Sequence, residues 1–591
     1  MNDTVSPAPA VAPARSRGRI ALMGAIALVL ASVGLFIVSR GKWSDALIDS
    51  GNVWILPDTI ARGELLYRDV VYWFGPFTPY FHGSFFRIFG SSFSTLVVAG
   101  VIGSIGTLGA LFYAVRRVAP RIEALLWSSL AIPTLIFMPN SGGVILGMGY
   151  RMWHAATFAL LAVAVLIRPA EQRRQWDAAL AGALAGFAGL CRTEWGLLTL
   201  LAAGLVVLHR EENRRKVWRD ELRMFGAFLL VFGGTVGFFA AVAGWKSIIR
   251  DAPVLLLNLP VQTRSHVVFA GFSNWRAGIW TLLYSTAIWL GTFLLIEVAA
   301  LRRVDPSRPR RRLPWLAVVL LLFALSALGG GALSGGLIWS AAPLICAASC
   351  VVALRSGRQL HASALLGFGA LGLLLSHRRI FFIEDAPHVG PPLLFAFVCV
   401  GGLCATAVAR ETNRSARERL RGGVFALLVL LIGVAFATRF LEYGRDDRVV
   451  IGGTAGVLSA RADLAREIED LSAAIRANSR EEDGLVVFPE GEILNFLSGR
   501  RNPIRHKLYL PGYLNDRNER EILRELRVAA PAAVVVWRRA RGEYGVGFFG
   551  EDYGREIWRW IGENYDRKSF RASAPAGPSE FGYYVRRASI R

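Results

Sequence analysis

The sequence predicts a polytopic α-helical membrane protein with about 13 helical spans and one small α/β domain after the last of them. Three observations carry this: a series of long apolar runs, basic residues gathered into alternate loops between those runs, and a return to mixed polar sequence after Thr438. Of the 591 residues 53% are hydrophobic, and the mean hydropathy is +0.41. Soluble chains do not string together runs of roughly 20 apolar residues, the length needed to cross about 30 Å of hydrocarbon.

The first run, Ile20–Val38, follows a Pro/Ala-rich tail with Arg15, Arg17 and Arg19. Basic-then-apolar is also the signal-peptide pattern, but no small-residue cleavage site leads into ordinary soluble sequence, so an uncleaved first span is expected. Hydropathy places the others near 92–115, 122–138, 154–167, 177–191, 195–208, 222–243, 277–300, 314–329, 336–354, 360–376, 391–409 and 423–438. The fourth to sixth are short, so a re-entrant pair would fit there. The expected layout is a cytoplasmic tail (1–19), a membrane domain (20–438) with a large first outer loop (39–91), and an extracytoplasmic α/β domain (439–591).

Charge sets the orientation. The tail and alternate loops hold 28 of the 67 Lys and Arg; the opposite segments, longer in total, hold 13. Basic loops stay in the cytoplasm, and an odd number of spans then exports the C-terminal domain. The net charge of +23 is no nucleic-acid signal, because the C-terminal domain, with 26 basic and 23 acidic residues, carries only +3 of it. The remainder lies mostly on cytoplasmic loops facing anionic lipid. Arg far outnumbers Lys, which suits a GC-rich bacterial genome and hence a bacterial inner membrane. All five cysteines lie in or at the ends of spans, which excludes a disulfide framework or a CxxC metal site in the exported domain.

In the C-terminal domain Leu464, Ile468, Leu471 and Ile475 form a helical stripe, GLVVFP (484–489) and AAVVVW (532–537) read as buried strands, and 520–529 and 552–565 read as amphipathic helices. Alternating strands and helices suggest a parallel sheet. It has no phosphate-binding glycine fingerprint, and it is expected to assist acceptor binding or stability rather than catalysis.

Candidate chemistry concentrates in the first outer loop, which carries five acids (Asp45, Asp49, Asp58, Glu64, Asp69) among many aromatics. Solvation would account for any one acid and an interfacial belt for the aromatics. Yet Asp49 and Asp69 flank a short apolar helix and a YRD turn, followed by a GPF step and an amphipathic helix ending in FG. This order of Asp, RGxxLYRD, aromatic-rich GPF and RIFG entering a span resembles the first extracytoplasmic loop of the GT-C glycosyltransferases. Within them it is similar to the bacterial branch near protein O-mannosyltransferases and lipid A aminoarabinose transferases (glycosyltransferase family 39-like). The sequence differs from the best-known members in having Ser50 and Gly51 after Asp49, and GPF where a lysine followed by paired prolines is common.

The resemblance implies a hexosyl- or pentosyltransferase that takes sugar from a polyprenyl-phosphate carrier and passes it to a glycan, lipid or protein acceptor. Asp49 matches the family's base or acceptor-orienting acid, and Asp69 its second acid. No cofactor is named with certainty, and a divalent metal at the second acid fits the resemblance. The chemistry is coherent: an acceptor hydroxyl needs a carboxylate within reach, and a departing phosphate needs Arg or Lys. Arg68, the Arg192/Glu194 pair, and Arg378, Arg379, Asp385 and His388 of the 376–392 loop are the candidate substrate and lipid-phosphate ligands. A salt bridge or a hydrated loop would explain the last two groups equally, and snorkelling would explain Arg151. A transporter or flippase, or a non-catalytic scaffold of polymer export, would also have many spans. The former should show internal symmetry, and none is seen.

Overall fold

The computed structural model describes residues 14–48, 50–139, 142–147, 149–251, 332–357, 359–376, 386–511, 513–514, 516–539, 546–570 and 581–587. Helix α1 (Ala14–Ser39) leads into the first outer loop, which holds α2 (Ser50–Ala61) and α3 (Phe77–Phe89). The helical body continues with α4 (Phe93–Val115), α5 (Arg121–Ala131), α6 (Tyr150–Leu166), α7 (Asp177–Cys191), α8 (Thr193–Arg210), α9 (Arg214–Phe228), α10 (Gly234–Ala243) and α11 (Trp245–Asp251). It closes with α12 (Ala332–Arg355), α13 (Leu360–Leu375), α14 (Ala386–Ala409) and α15 (Arg414–Arg445).

Eleven of the expected spans fall on helices among the described residues; those at 277–300 and 314–329 lie outside them. Among the described residues five helical stretches are long and apolar enough to cross a membrane: Leu22–Ser39, Phe93–Val115, Arg214–Ala243, Gly390–Ala409 and Arg414–Arg445. Their outer surfaces are apolar. Leu22, Leu30 and Ile37 on α1, Ile105 on α4 and Leu230 after α9 are all at least half exposed, the pattern of a surface solvated by lipid rather than water. The chain is a membrane protein on these grounds. Helix α7 has 15 residues and rises only about 22 Å, short of a full span. It turns into α8 through one non-helical residue, Arg192.

The two ends of α8 mark two sides of the body. Its N-terminus adjoins the first outer loop through Arg192 and Phe74. At its C-terminus Arg210 donates to Arg168 O at 2.8 Å, amid pairs of Arg168 with Asp177 (2.7 Å) and Arg173 with both Glu211 (3.0 Å) and Asp220 (2.5 Å). The charged segments 168–177 and 210–220 therefore gather at the end of the bundle opposite the first outer loop. On the first-loop side, Lys42 donates to Tyr443 O and Asp446 O, both at 2.7 Å, and Arg40 to Ala455 O at 2.6 Å. The C-terminal unit thus sits on the side of the first outer loop.

That unit contains β1 (Val449–Val450), β2 (Ser459–Ala460), α16 (Ala462–Asn478), β3 (Leu485–Phe488), α17 (Ile493–Ser498), α18 (Asp516–Ala529), β4 (Ala533–Trp537), α19 (Arg555–Asn564), β5 (Tyr565–Lys568) and β6 (Phe581–Arg586). The sheet order is β3-β4-β6-β5. Strands β3 and β4 are parallel and buried on both faces, as uninterrupted apolar runs require. Leu485, Val487, Ala533 and Val535 share one core with Ile468, Leu471 and Ile475 of α16, and that core continues into the membrane body. Val486, Phe488, Val534 and Val536 face Ile522, Leu526, Ile557 and Ile561 of α18 and α19. The expected parallel sheet is a mixed one: β6 and β5 add antiparallel. Strand β5 (YDRK) is mostly exposed, and a polar edge strand lacks the apolar signature by which β3 and β4 are read.

Candidate active site

The first outer loop is held down by backbone approach and by its own polar groups. Asp45 Oδ1 accepts from Leu47 N (2.8 Å) and Ile48 N (2.7 Å), so this acid caps a turn. Helix α2 then begins against the C-terminal unit. A Cβ at Gly51 would collide with the Glu492–Ile493 peptide that precedes α17. The next residue, Asn52, faces a cleft.

The YRD turn is self-fastening. Asp69 N donates to Leu65 O and Asp69 Oδ2 accepts from Leu65 N, both at 2.9 Å, while Arg68 Nη2 pairs with Asp69 Oδ2 at 2.7 Å. The bond from Arg68 holds the Asp69 carboxyl below its ordinary range. Tyr67 adopts φ 68°, and its hydroxyl donates to Phe74 O at 2.6 Å, drawing GPF back under the turn. The C-terminal unit clasps the same turn: Arg505 donates from Nε to Arg68 O (2.8 Å) and from Nη2 to Tyr67 O (3.1 Å), and its carbonyl accepts Val71 N (3.1 Å).

The GPF step has a steric reason. Any Cβ at Gly75 would be driven into the Leu190 carbonyl at the end of α7; only glycine lets the loop lie that close. Phe74 is thereby placed beneath two cations. The Arg151 guanidinium lies 3.7 Å from its ring centre and that of Arg192 5.6 Å away. Arg192 pairs with Glu194 at 2.6 Å.

Between the loop and the C-terminal unit lies an open cleft lined by Asn52, Leu56, Val71, Tyr72, Trp73, Phe74, Arg151, His506, Lys507, Leu508 and Tyr513. Arg151, Lys507 and His506 are the ionisable nitrogen groups of this wall, and none of the lining residues is a carboxylate. Trp73 and Tyr513 meet edge-to-face at 5.3 Å across it. Lys507 is 6% exposed and donates to Asn502 O (2.9 Å) and Ile504 O (2.6 Å). Burial pulls its ammonium down to about 8, against the opposing pull of Glu64.

The candidates read from sequence divide as follows. Arg68 and Asp69 are brought together in the turn, and Arg192 and Glu194 at the α7–α8 junction, where Arg192 lies over Phe74. Asp49, Arg378, Arg379 and Asp385 lie outside the described residues, as does the side chain of His388, whose backbone belongs to α14. Arg151 does not need snorkelling to explain it: it lies over an aromatic face in the cleft. His506 and Lys507 went unnoticed, since RHKLY has neither periodicity nor a motif. Among the described residues no three His, Cys, Asp or Glu side chains gather as a metal site.

No protein-family model matches the chain, and no curated protein matches it. Among solved structures, the chain is similar to ArnT from Cupriavidus metallidurans in the apo state. That match covers 97% of this chain and 98% of that one, at 12% identity and a TM-score of 0.48. A second ArnT structure, bound to undecaprenyl phosphate, is matched over 96% and 98%, at 12% identity and a TM-score of 0.44. The archaeal oligosaccharyltransferase AglB from Archaeoglobus fulgidus, in complex with an inhibitory peptide and a dolichol-phosphate, is matched over 95% and 74%, at 13% identity and a TM-score of 0.46. At 12–13% identity the functional reading rests on the chain's own residues.

Proposed function

We propose that this chain is an integral-membrane glycosyltransferase that moves a sugar from a polyprenyl-phosphate carrier to an envelope glycan, lipid or protein acceptor on the outer face of the bacterial inner membrane. One observation carries the reading: the cleft where the first outer loop meets the C-terminal unit presents Arg151, Lys507 and His506, with no carboxylate among its described lining residues. Such a cleft suits an anion, and Arg is the side chain that best matches a phosphate. Leu56, Val71 and Leu508 beside the cations suit an amphipathic carrier, and Trp73 and Tyr513 offer ring faces to a sugar.

Asp49 is the proposed acceptor-orienting carboxylate or base. It immediately precedes α2, whose first turn supplies Asn52 to the cleft. Asp69 and Arg68 shape the turn that supports this wall. Arg378, Arg379, Asp385 and His388 complete the proposed phosphate side. In this reading the N-terminal tail is cytoplasmic and residues 439–591 are extracytoplasmic, in keeping with the basic segments 168–177 and 210–220 lying opposite the first outer loop.

The test is turnover by the purified full chain of polyprenyl-phosphate sugars and acceptors from an envelope extract, read by mass spectrometry. Asp49→Asn keeps size and polarity and is expected to lower turnover about a hundredfold or more, with folding and undecaprenyl-phosphate binding retained. Asp45→Asn, which removes a turn cap, is expected to act on stability instead. Equal turnover losses at Asp45 and Asp49 would mean that the wrong acid had been chosen. A wild-type protein that frees no polyprenyl phosphate from any donor in the extract would refute the transferase reading itself.

A further inference from the structure

The C-terminal unit places a histidine–carboxylate pair at the cleft. His506 is 5% exposed, and its Nδ1 lies 3.1 Å from Glu525 Oε2 on α18. The same oxygen accepts the Arg505 N–H at 3.0 Å, which fixes the carboxylate in place. Burial works to raise the Glu525 carboxyl, but His506 and Arg505 outweigh it and hold the carboxyl below its ordinary range. An ionised carboxylate only accepts, so Nδ1 must carry the proton, and the lone pair of a neutral ring is then on Nε2. The backbone of His506 is equally fixed: its carbonyl accepts the Tyr509 hydroxyl at 2.6 Å and Asn502 Nδ2 at 3.4 Å. Among the described residues Nε2 has no hydrogen-bond partner. A histidine that lines a cleft and whose ring is oriented by a carboxylate is the arrangement by which a base is aimed at a hydroxyl.

We propose that His506 is the proton acceptor of the transfer reaction and that Glu525 is its positioning residue. The proposal rests on the transferase reading and assigns Asp49 the orienting role. In the step, the acceptor oxygen bonds to the anomeric carbon as the bond from that carbon to the carrier's phosphate oxygen breaks. The hydroxyl proton passes to His506 Nε2, and the bonding pair leaves with the phosphate, whose charge meets Arg151 and Lys507. The charged groups about the ring are Glu525 and Glu521 from α18, Arg505 and Lys507 from its own loop, and Arg151 from α6. The C-terminal unit, expected from sequence to be accessory, thereby supplies a reacting group.

Chemical rescue tests it. The full chain is reconstituted and supplied with envelope extract, and His506→Ala is expected to turn over about a hundredfold slower or worse while still binding undecaprenyl phosphate. Added imidazole should restore turnover in part, and across substituted imidazoles the restored rate should rise with the basicity of the additive. A histidine that only packs would show no such slope. Glu525→Gln, which keeps the shape but not the ionised acceptor, should lower kcat tenfold or more with undecaprenyl-phosphate binding intact, and it serves if His506→Ala does not fold. Normal turnover in either variant, or a slow His506→Ala indifferent to the basicity of the additive, overturns the proposal while the wild-type activity leaves the transferase reading standing. An inactive wild type would instead remove that reading.

Discussion

The buried ammonium of Lys507 makes a prediction about stability against pH. An unfolded lysine holds its proton to roughly pH 10.4, whereas in the fold burial brings Lys507 down to about 8. Between those values the unfolded chain binds more protons, so stability must rise with pH across the interval. Below it both states are protonated and the folded chain carries the full cost of a buried charge; above it the cost is gone. The difference of about 2.5 units corresponds to about 3 kcal/mol at about 1.4 kcal/mol per unit. Lys507→Met abolishes this dependence, although it leaves Asn502 O and Ile504 O without their donor, a pH-independent cost of about 1–3 kcal/mol each. The gap between wild type and variant should therefore move in favour of wild type by about 2 kcal/mol between pH 8 and pH 10, most of the full effect. At about 2–4 °C per kcal/mol for a unit of this size, that is about 4–8 °C in the melting of the C-terminal unit. Differential scanning fluorimetry of the two full-length proteins in one detergent measures it directly. Parallel curves from pH 7.5 to 10.5 would refute the reasoning, and so would a gap moving the other way.

Three further outcomes are expected. Gly75→Ala drives a Cβ into the Leu190 carbonyl and should cost at least about 1–3 kcal/mol, seen as lower yield and earlier melting on fluorescence-detected size exclusion; an unchanged profile would show that the loop lies elsewhere. Arg173→Ala strips the nearer partner from Asp220, which is 6% exposed, and leaves it Arg223 at 3.8 Å; it should cost about 1–3 kcal/mol, whereas Arg414→Ala, whose pair with Glu418 is largely exposed, should change melting little; equal effects would refute the assignment. A reporter active only in the cytoplasm should be silent when fused after Arg591, and strong activity there would reverse the proposed orientation.

The helices were legible because lipid imposes an apolar length that hydropathy detects, and 177–191 coincides with α7 residue for residue. Strands β3 and β4 were legible because burial on both faces leaves unbroken apolar runs. The first-loop elements were legible too, down to the apolar helix, the YRD turn and the GPF step. The far wall of the cleft was not. His506 and Lys507 lie in an irregular segment, and what gives them meaning is Glu525, 18 residues beyond Lys507, together with a first loop more than 400 residues away. Arg151 read as a snorkelling residue because sequence gives its depth but not the ring of Phe74 beneath it. Strand β5 is not legible because a polar edge pairs through its backbone, whatever its side chains.

The two walls of the cleft are made at different times. Phe74 and its loop leave the ribosome early, but His506 and Lys507 follow more than 400 residues later, about 20–90 s at ordinary rates of synthesis. Until the last helix has been made and the C-terminal unit has folded, Arg505 cannot clasp the YRD turn and Arg151 faces an open half-site. A nascent or truncated chain is therefore a membrane protein without a finished cleft, and the folding of its last-made unit is what completes the pocket.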